Sequence, residues 1–136
     1  EIIPTIIEMN LATFQKLRAE GVNAFYGDAM LRTTLEQAGV GQAGTFVVTA
    51  SGLQGAEEMI RLAREINPKG RILTRARYLA DIPTLRSAGA DRVFSGEGEV
   101  ALAITEFVLA GLGATPEQID RERAQVHGDL FYEAAP

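Results

Sequence analysis

The run Thr45-Phe46-Val47-Val48-Thr49, followed by Ala50-Ser51-Gly52, decides the fold. A continuous apolar run, rather than an alternating one, marks a strand buried on both faces, as strands of parallel sheets are. The small residues after it suit a loop, and a helix of roughly Leu53–Ile66 follows. Ala56, Met59, Ile60, Ala63 and Ile66 recur in that helix at helical spacing. Asn67-Pro68 ends it. The next strand is Arg71-Ile72-Leu73-Thr74-Arg75-Ala76-Arg77, and a short helix from about Asp81 to Ala88 tolerates Pro83 in its first turn. Arg92-Val93-Phe94 is a last strand, and a long helix from about Glu97 to Leu112 follows it.

Working back from Thr45, the same alternation holds. Ile2-Ile3-Pro4-Thr5-Ile6-Ile7 reads as a strand that runs into Glu8. Asn10 can cap a helix from Leu11 to Glu20, with Leu11, Phe14 and Leu17 on one face, and Gly21 supplies its left-handed end. Val22-Asn23-Ala24-Phe25-Tyr26 reads as a short strand, followed by a helix from about Met30 that Gly39 stops. Beyond residue 114, Thr115-Pro116-Glu117-Gln118 opens a polar helix with a capping signature. Five strands alternating with helices over short connections predict an α/β fold with a mostly parallel sheet and helices on both faces. The expected organisation is a main unit over residues 1–113 and a polar helix and tail over 114–136.

The chain has 136 residues, of which 46% are apolar and 23% charged, and a net charge of −5. That is one soluble globular domain by size and composition. Interspersed acids and bases with a negative balance do not support binding to a nucleic-acid backbone or an anionic bilayer. There is no cysteine, so disulfides, thiolate metal sites and a cysteine nucleophile are excluded, and the single His127 cannot build a multi-histidine site. The longest apolar stretch, Val100 to Ala114, contains Glu106 and is shorter than the ~20 residues a spanning helix needs. The start shows no secretory signal.

Ligands of parallel sheets gather at the carboxyl ends of the strands. Glu8 stands at such an end, where a carboxylate can accept both hydroxyls of a ribose; an ordinary charged strand end is the plain alternative. Tyr26-Gly27-Asp28-Ala29 offers a glycine that admits close approach and an acid that can accept from an exocyclic amine or simply cap the next helix. Thr49-Ala50-Ser51-Gly52 suits a ribose or phosphate, or is an ordinary loop. Arg75 and Arg77 lie on one face of their strand, and Arg77, nearer its end, is the better anion clamp.

Three tempting patterns fail on context. Gly96-Glu97-Gly98-Glu99-Val100-Ala101 matches the dinucleotide fingerprint G-x-G-x-x-A, but its two acids repel a pyrophosphate and no strand of the required kind follows its helix. A plain helix start, with acids complementing the dipole, fits better. A phosphoacceptor receiver site would need clustered acids and a lysine that are missing here. One histidine makes no Ser/His/Asp triad. The long helix carries Val100, Ala103, Ile104, Phe107, Val108 and Gly111, a broad stripe expected to pack on the sheet, with a subunit interface as its other use.

In order, Ile6-Ile7-Glu8-Met9-Asn10, Gly21-Val22, Tyr26-Gly27-Asp28-Ala29, Leu35 to Val40, Val47-Val48-Thr49, Asn67-Pro68, Arg75-Ala76-Arg77 and Ala88-Gly89-Ala90-Asp91 resemble the N-terminal lobe of RCK domains. These are also called TrkA-N domains, and the cytosolic domain of Kef-type potassium/proton antiporters is the nearest flavour. The resemblance covers nearly all of residues 2–113. It implies a Rossmann-like domain that binds AMP, NAD(H) or another adenine nucleotide, dimerises, and controls an attached potassium transporter or channel from the cytoplasmic side of the inner (plasma) membrane. By the same resemblance Glu8-Met9 would meet the ribose, Asp28-Ala29 the adenine, Thr49-Ala50 the ribose–phosphate side, and Arg77 a phosphate or regulatory anion. The helix over 97–112 would form the homodimer.

The family begins with a strand and a G-x-G-x-x-G loop, which this chain does not show, so its first βα unit is expected to be missing. In the order 3-2-1-4-5-6 that strand is central, so the sheet must close differently or be completed by another segment. The expected function is regulatory nucleotide binding without catalysis. The alternative is a dimerisation module that binds no nucleotide. A dehydrogenase fragment would need a catalytic domain that residues 114–136 are too few to form.

Overall fold

The computed structural model describes residues 2–49 and 52–131. It contains β1 (Ile6–Glu8), α1 (Leu11–Ala19), β2 (Ala24–Tyr26), α2 (Arg32–Gln37), β3 (Thr45–Val48), α3 (Leu53–Ile66), β4 (Arg71–Ala76), α4 (Ile82–Ser87), β5 (Arg92–Ser95), α5 (Gly96–Gly111) and α6 (Pro116–Phe131). All strand pairings are parallel, and helices flank the sheets, as the alternation predicts. The first strand is shorter than expected. Pro4 has no amide to give a ladder, and pairing starts only at Ile6, opposite Ala24.

The strands form two sheets rather than one: β1-β2 and β3-β4-β5. Register pairs Ile7 with Phe25, Val47 with Leu73, and Arg75 with Phe94. Among the described residues β1 bonds only to β2 and β3 only to β4, so each keeps one open edge. Ile7 nonetheless packs against the buried cluster that contains Val48, which holds both sheets in one body.

The core lies on one face of β3-β4-β5. Val48, Ile72, Thr74, Ala76 and Val93 point into it and meet Ala56, Met59, Ile60 and Ala63 of α3, with Ile82 and Leu85 of α4. Ile66, also read as core-facing, is partly buried against the same cluster. The opposite face carries Thr45, Val47, Arg71, Leu73, Arg75, Arg92 and Phe94. Val47 is 53% exposed there, so β3 is not buried on both faces as its composition predicts. The reason is local: among the described residues no element covers the Val47 side of the strand.

The predicted stripe of α5 also faces the other way. Val100, Ala103, Ile104, Phe107, Val108 and Gly111 are exposed, and Gly98 and Leu102 turn inward instead. An all-round apolar helix has no single amphipathic face to predict from, and α6 occupies part of its surface. Arg123 Nε meets Glu106 Oε1 at 3.1 Å, and Val126 reaches the core cluster.

Helix ends follow their signals. Asn10 Oδ1 accepts the Thr13 amide at 3.0 Å, and Gly21 and Gly39 take φ of 78° and 87°. Thr115 and Gln118 form a reciprocal capping box at 2.8 and 3.3 Å. The Thr115 hydroxyl lies close to Glu117, whose carboxyl is held below its ordinary range mainly by its own backbone amide. Asn67 does more than end α3. Its Nδ2 donates to the carbonyls of Val40 (2.9 Å) and Ala43 (2.8 Å), and its Oδ1 accepts the Gly70 amide (2.8 Å).

Candidate functional site

The carboxyl ends of the strands bring the candidates into two groups. Glu8 ends β1 opposite Tyr26, and the Gly27 amide donates to the Glu8 carbonyl at 3.0 Å. Glu8, Gly27 and Asp28 therefore sit side by side on the two-stranded sheet. Thr49 follows β3, and Arg77 follows β4 at the end where Ala76 pairs with Ser95. The open edges of β1 and β3 separate the groups, although Ala29 packs against the common core. Ala50 and Ser51 lie outside the described residues.

Each acid already holds part of its own loop. Glu8 Oε1 accepts the Asn10 amide at 2.6 Å, and Asp28 Oδ1 accepts the Met30 amide at 2.9 Å. Asp28 is not the cap of α2; Leu31 precedes that helix without a side-chain bond. Among the described residues, the second oxygen of each carboxylate accepts no hydrogen bond, which leaves it able to take a hydroxyl or an amine. Met9 is exposed beside Glu8. The Tyr26 ring packs on Phe14 of α1, 5.5 Å between centroids.

Gly27 has a structural reason of its own. A Cβ there would lie 2.8 Å from Thr34 Cγ2, and Thr34 is buried, so the close approach is between this turn and α2.

On the three-stranded sheet, the Arg77 guanidinium lies 5.4 Å from the centre of the Tyr78 ring and is exposed. Arg75 is exposed on the open face of β4. The glycine pattern at Gly96 is a helix start: Ser95 Oγ lies 3.5 Å from the Gly98 amide, and a Cβ at Gly96 would meet nothing within 4 Å. Sequence reading assigned Glu97 only to the helix dipole. It also accepts the Leu79 amide at 2.9 Å, tying the start of α5 to the segment after Arg77. A strand-end acid two residues beyond a strand was the available signal.

A concavity of about 440 Å³ between α3 and α4 is lined by Glu57, Arg61, Pro83, Thr84, Ser87 and Ala88, and includes none of the strand-end candidates. The guanidinium of Arg61 is tied to Glu58 and Glu65, and the Glu58 bond chiefly raises its pKa. Among the described residues no group of acids and histidine could hold a metal, and no helix is long and apolar enough to cross a membrane.

The TrkA-N domain family matches residues 3–96, well over half of the chain. The crystal structure of the TrkA-N domain of inner membrane protein ybaL from Escherichia coli is 29% identical, with a TM-score of 0.74 over 78% of each chain. The Kef CTD of Shewanella denitrificans in AMP-bound form is 20% identical, with a TM-score of 0.62 over 93% of this chain and 96% of that one. The GsuK channel bound to NAD is 17% identical, with a TM-score of 0.68 over 74% of this chain but 18% of its own. At those last two identities the likeness is one of fold. The parallel strands, flanking helices and strand-end loops agree with the family match: this chain belongs to the TrkA-N domain family.

Proposed function

We propose that this chain is a regulatory, non-catalytic domain of a potassium transport system, of the Kef type, that binds AMP or NAD(H). The observation that carries the reading is the pairing of Glu8 with the Gly27-Asp28 turn at adjacent strand ends, within a TrkA-N domain. In this reading Glu8, with Met9 beside it, accepts the ribose hydroxyls. Asp28 and Ala29 meet the adenine, Thr49 and Ala50 the ribose–phosphate side, and Arg77 a phosphate. The NAD-bound GsuK channel and the AMP-bound Kef CTD support this ligand class. Residues 1–113 form the nucleotide domain, and residues 114–136 are a polar helix and tail. The domain works at the cytoplasmic face of the inner membrane, joined to a transporter outside these residues.

Control works by population shift. The nucleotide favours one arrangement of a homodimer joined through the helix over 97–112, and that arrangement biases the attached transporter. Calorimetric titration of AMP, NAD and NADH into the protein tests the reading. Absence of binding by all three rejects it.

A second reading is a dimerisation module without a nucleotide. The exposed row of Val100, Ile104, Phe107, Val108 and Leu112 favours it. Sedimentation with and without AMP separates the two, since only the first predicts a ligand effect.

A further inference from the structure

Two parts of the proposed function meet at the carboxyl ends of β4 and β5. Ala76 and Ser95 are register partners there, so Arg77 and Gly96 leave neighbouring strand ends. Arg77 is the anion clamp of that function. Gly96 opens α5, the helix with the exposed apolar row.

One hydrogen bond joins the two. Glu97 Oε2 accepts the Leu79 amide at 2.9 Å, across 18 residues of sequence. Leu79 starts a single 3-10 turn, Leu79–Asp81, and an amide at the start of a helical turn has no partner within it. Tyr78 links this turn to the clamp. Its amide donates to Asp81 Oδ2 at 3.3 Å, and its ring centre lies 5.4 Å from Arg77 Cζ.

On the other side of the bond, α5 has few holds on the body. Gly98 and Leu102 are its buried residues. Ser95 Oγ lies 3.5 Å from the Gly98 amide, a long and therefore weak cap. The Glu97 bond is shorter and has a charged acceptor, so it is the stronger polar tie of the first turn. Complementing the helix dipole needs only the charge of Glu97, and Glu99 shares that task.

We propose that Glu97 is a positioning residue that couples an anion held at Arg77 to the setting of α5 in the homodimer. This role rests on the proposed nucleotide function and goes beyond it by naming the joint. A phosphate that draws in Arg77 and Tyr78 shifts the Leu79 amide, and the Glu97 carboxylate follows. The helix turns with its first residues because little else anchors it. Coupling is reciprocal, so dimer packing changes AMP affinity by the same factor.

Sedimentation equilibrium without AMP, and with AMP at a concentration that calorimetry shows to be saturating, tests the role. In wild type AMP is expected to change the dimer dissociation constant by about 10-fold. Glu97→Ala should still bind AMP and dimerise, with that change reduced to under about 2-fold. Glu97→Gln keeps a carbonyl acceptor and should retain most of the change, whereas a role through charge alone predicts that it behaves as Glu97→Ala. Leu79→Pro removes the same bond from the donor side and should match Glu97→Ala. Tyr78, at φ −122° and ψ 153°, already has the backbone that a residue before proline needs. If AMP binds wild type and leaves the dimer constant unmoved, or no dimer forms, the coupling is overturned while nucleotide binding stands. Full coupling in Glu97→Ala or Leu79→Pro, or its loss in Glu97→Gln, also overturns it. Wild type that binds none of AMP, NAD and NADH rejects the nucleotide function itself, and this role with it.

Discussion

Arg64 and Asp91 lock the end of α3 to the start of β4. Arg64 Nη2 donates to Asp91 Oδ2 at 2.8 Å, and the same oxygen accepts the Ile72 amide at 2.6 Å. Arg64 also donates to the carbonyls of Gly89, Pro68 and Gly70. The Ile72 amide chiefly, and then the Arg64 guanidinium, hold the Asp91 carboxyl below its ordinary range, against an opposing push from burial. Replacing Asp91 by Ala leaves the Ile72 amide without its acceptor and the guanidinium with its carbonyl acceptors alone. A loss of about 1–3 kcal/mol is expected in urea unfolding.

The same carboxyl sets a pH dependence. Its folded value is depressed, so its contribution is fully present above the unfolded value of about 3.9 and fades as pH falls through the folded one. Asp91→Asn does not titrate. Its stability should decline less steeply than wild type as pH falls below about 4. Equal slopes would remove Asp91 from the acid limb.

Gly27→Ala should destabilise the chain by about 1–3 kcal/mol, because its methyl meets the buried Thr34 side chain. Thr34→Ala in the same chain should recover part of that loss, since it removes the atoms that clash. A double-mutant cycle in thermal or chemical unfolding reads the coupling. Strict additivity would place the strain elsewhere.

Glu8→Ala should weaken AMP binding by about 10-fold or more, the worth of a hydrogen bond to a charged group. Fold stability should move little, since the lost contact is one exposed bond to the Asn10 amide. Circular dichroism and calorimetry together check this. Unchanged affinity would take the ribose away from Glu8.

Phe107 is 82% exposed and Leu112 79%. In the proposed homodimer, Phe107→Glu should therefore leave the protomer fold intact and shift sedimentation toward the monomer. An unaltered dimer would exclude this row from the interface.

The strand–helix order, the boundaries of α3 and the caps at Asn10 and Thr115 were legible because local chemistry settles them. Periodicity, a capping side chain and a Pro after Asn67 act within a few residues. The division into two sheets and the outward row on α5 were less legible, because both depend on neighbours far away in sequence. Gly27 shows the limit at the site. A glycine before an acid reads as ligand access, whereas its tightest contact is Thr34 of α2. The strand-end positions of Glu8, Asp28, Thr49 and Arg77 follow from topology, but what touches them is tertiary.

None of the residues of α1 is buried, and β1 and β2 are three residues each. The β1-α1-β2 lobe is thus lightly anchored, and it carries Glu8 and leads into Asp28. Thr49 and Arg77 stand on the better-packed half. A ligand gripping both halves would act as a splint, lowering the frequency with which residues 6–26 open away from the rest. Occupancy would then be legible at a distance as stiffness, without any large displacement of the backbone.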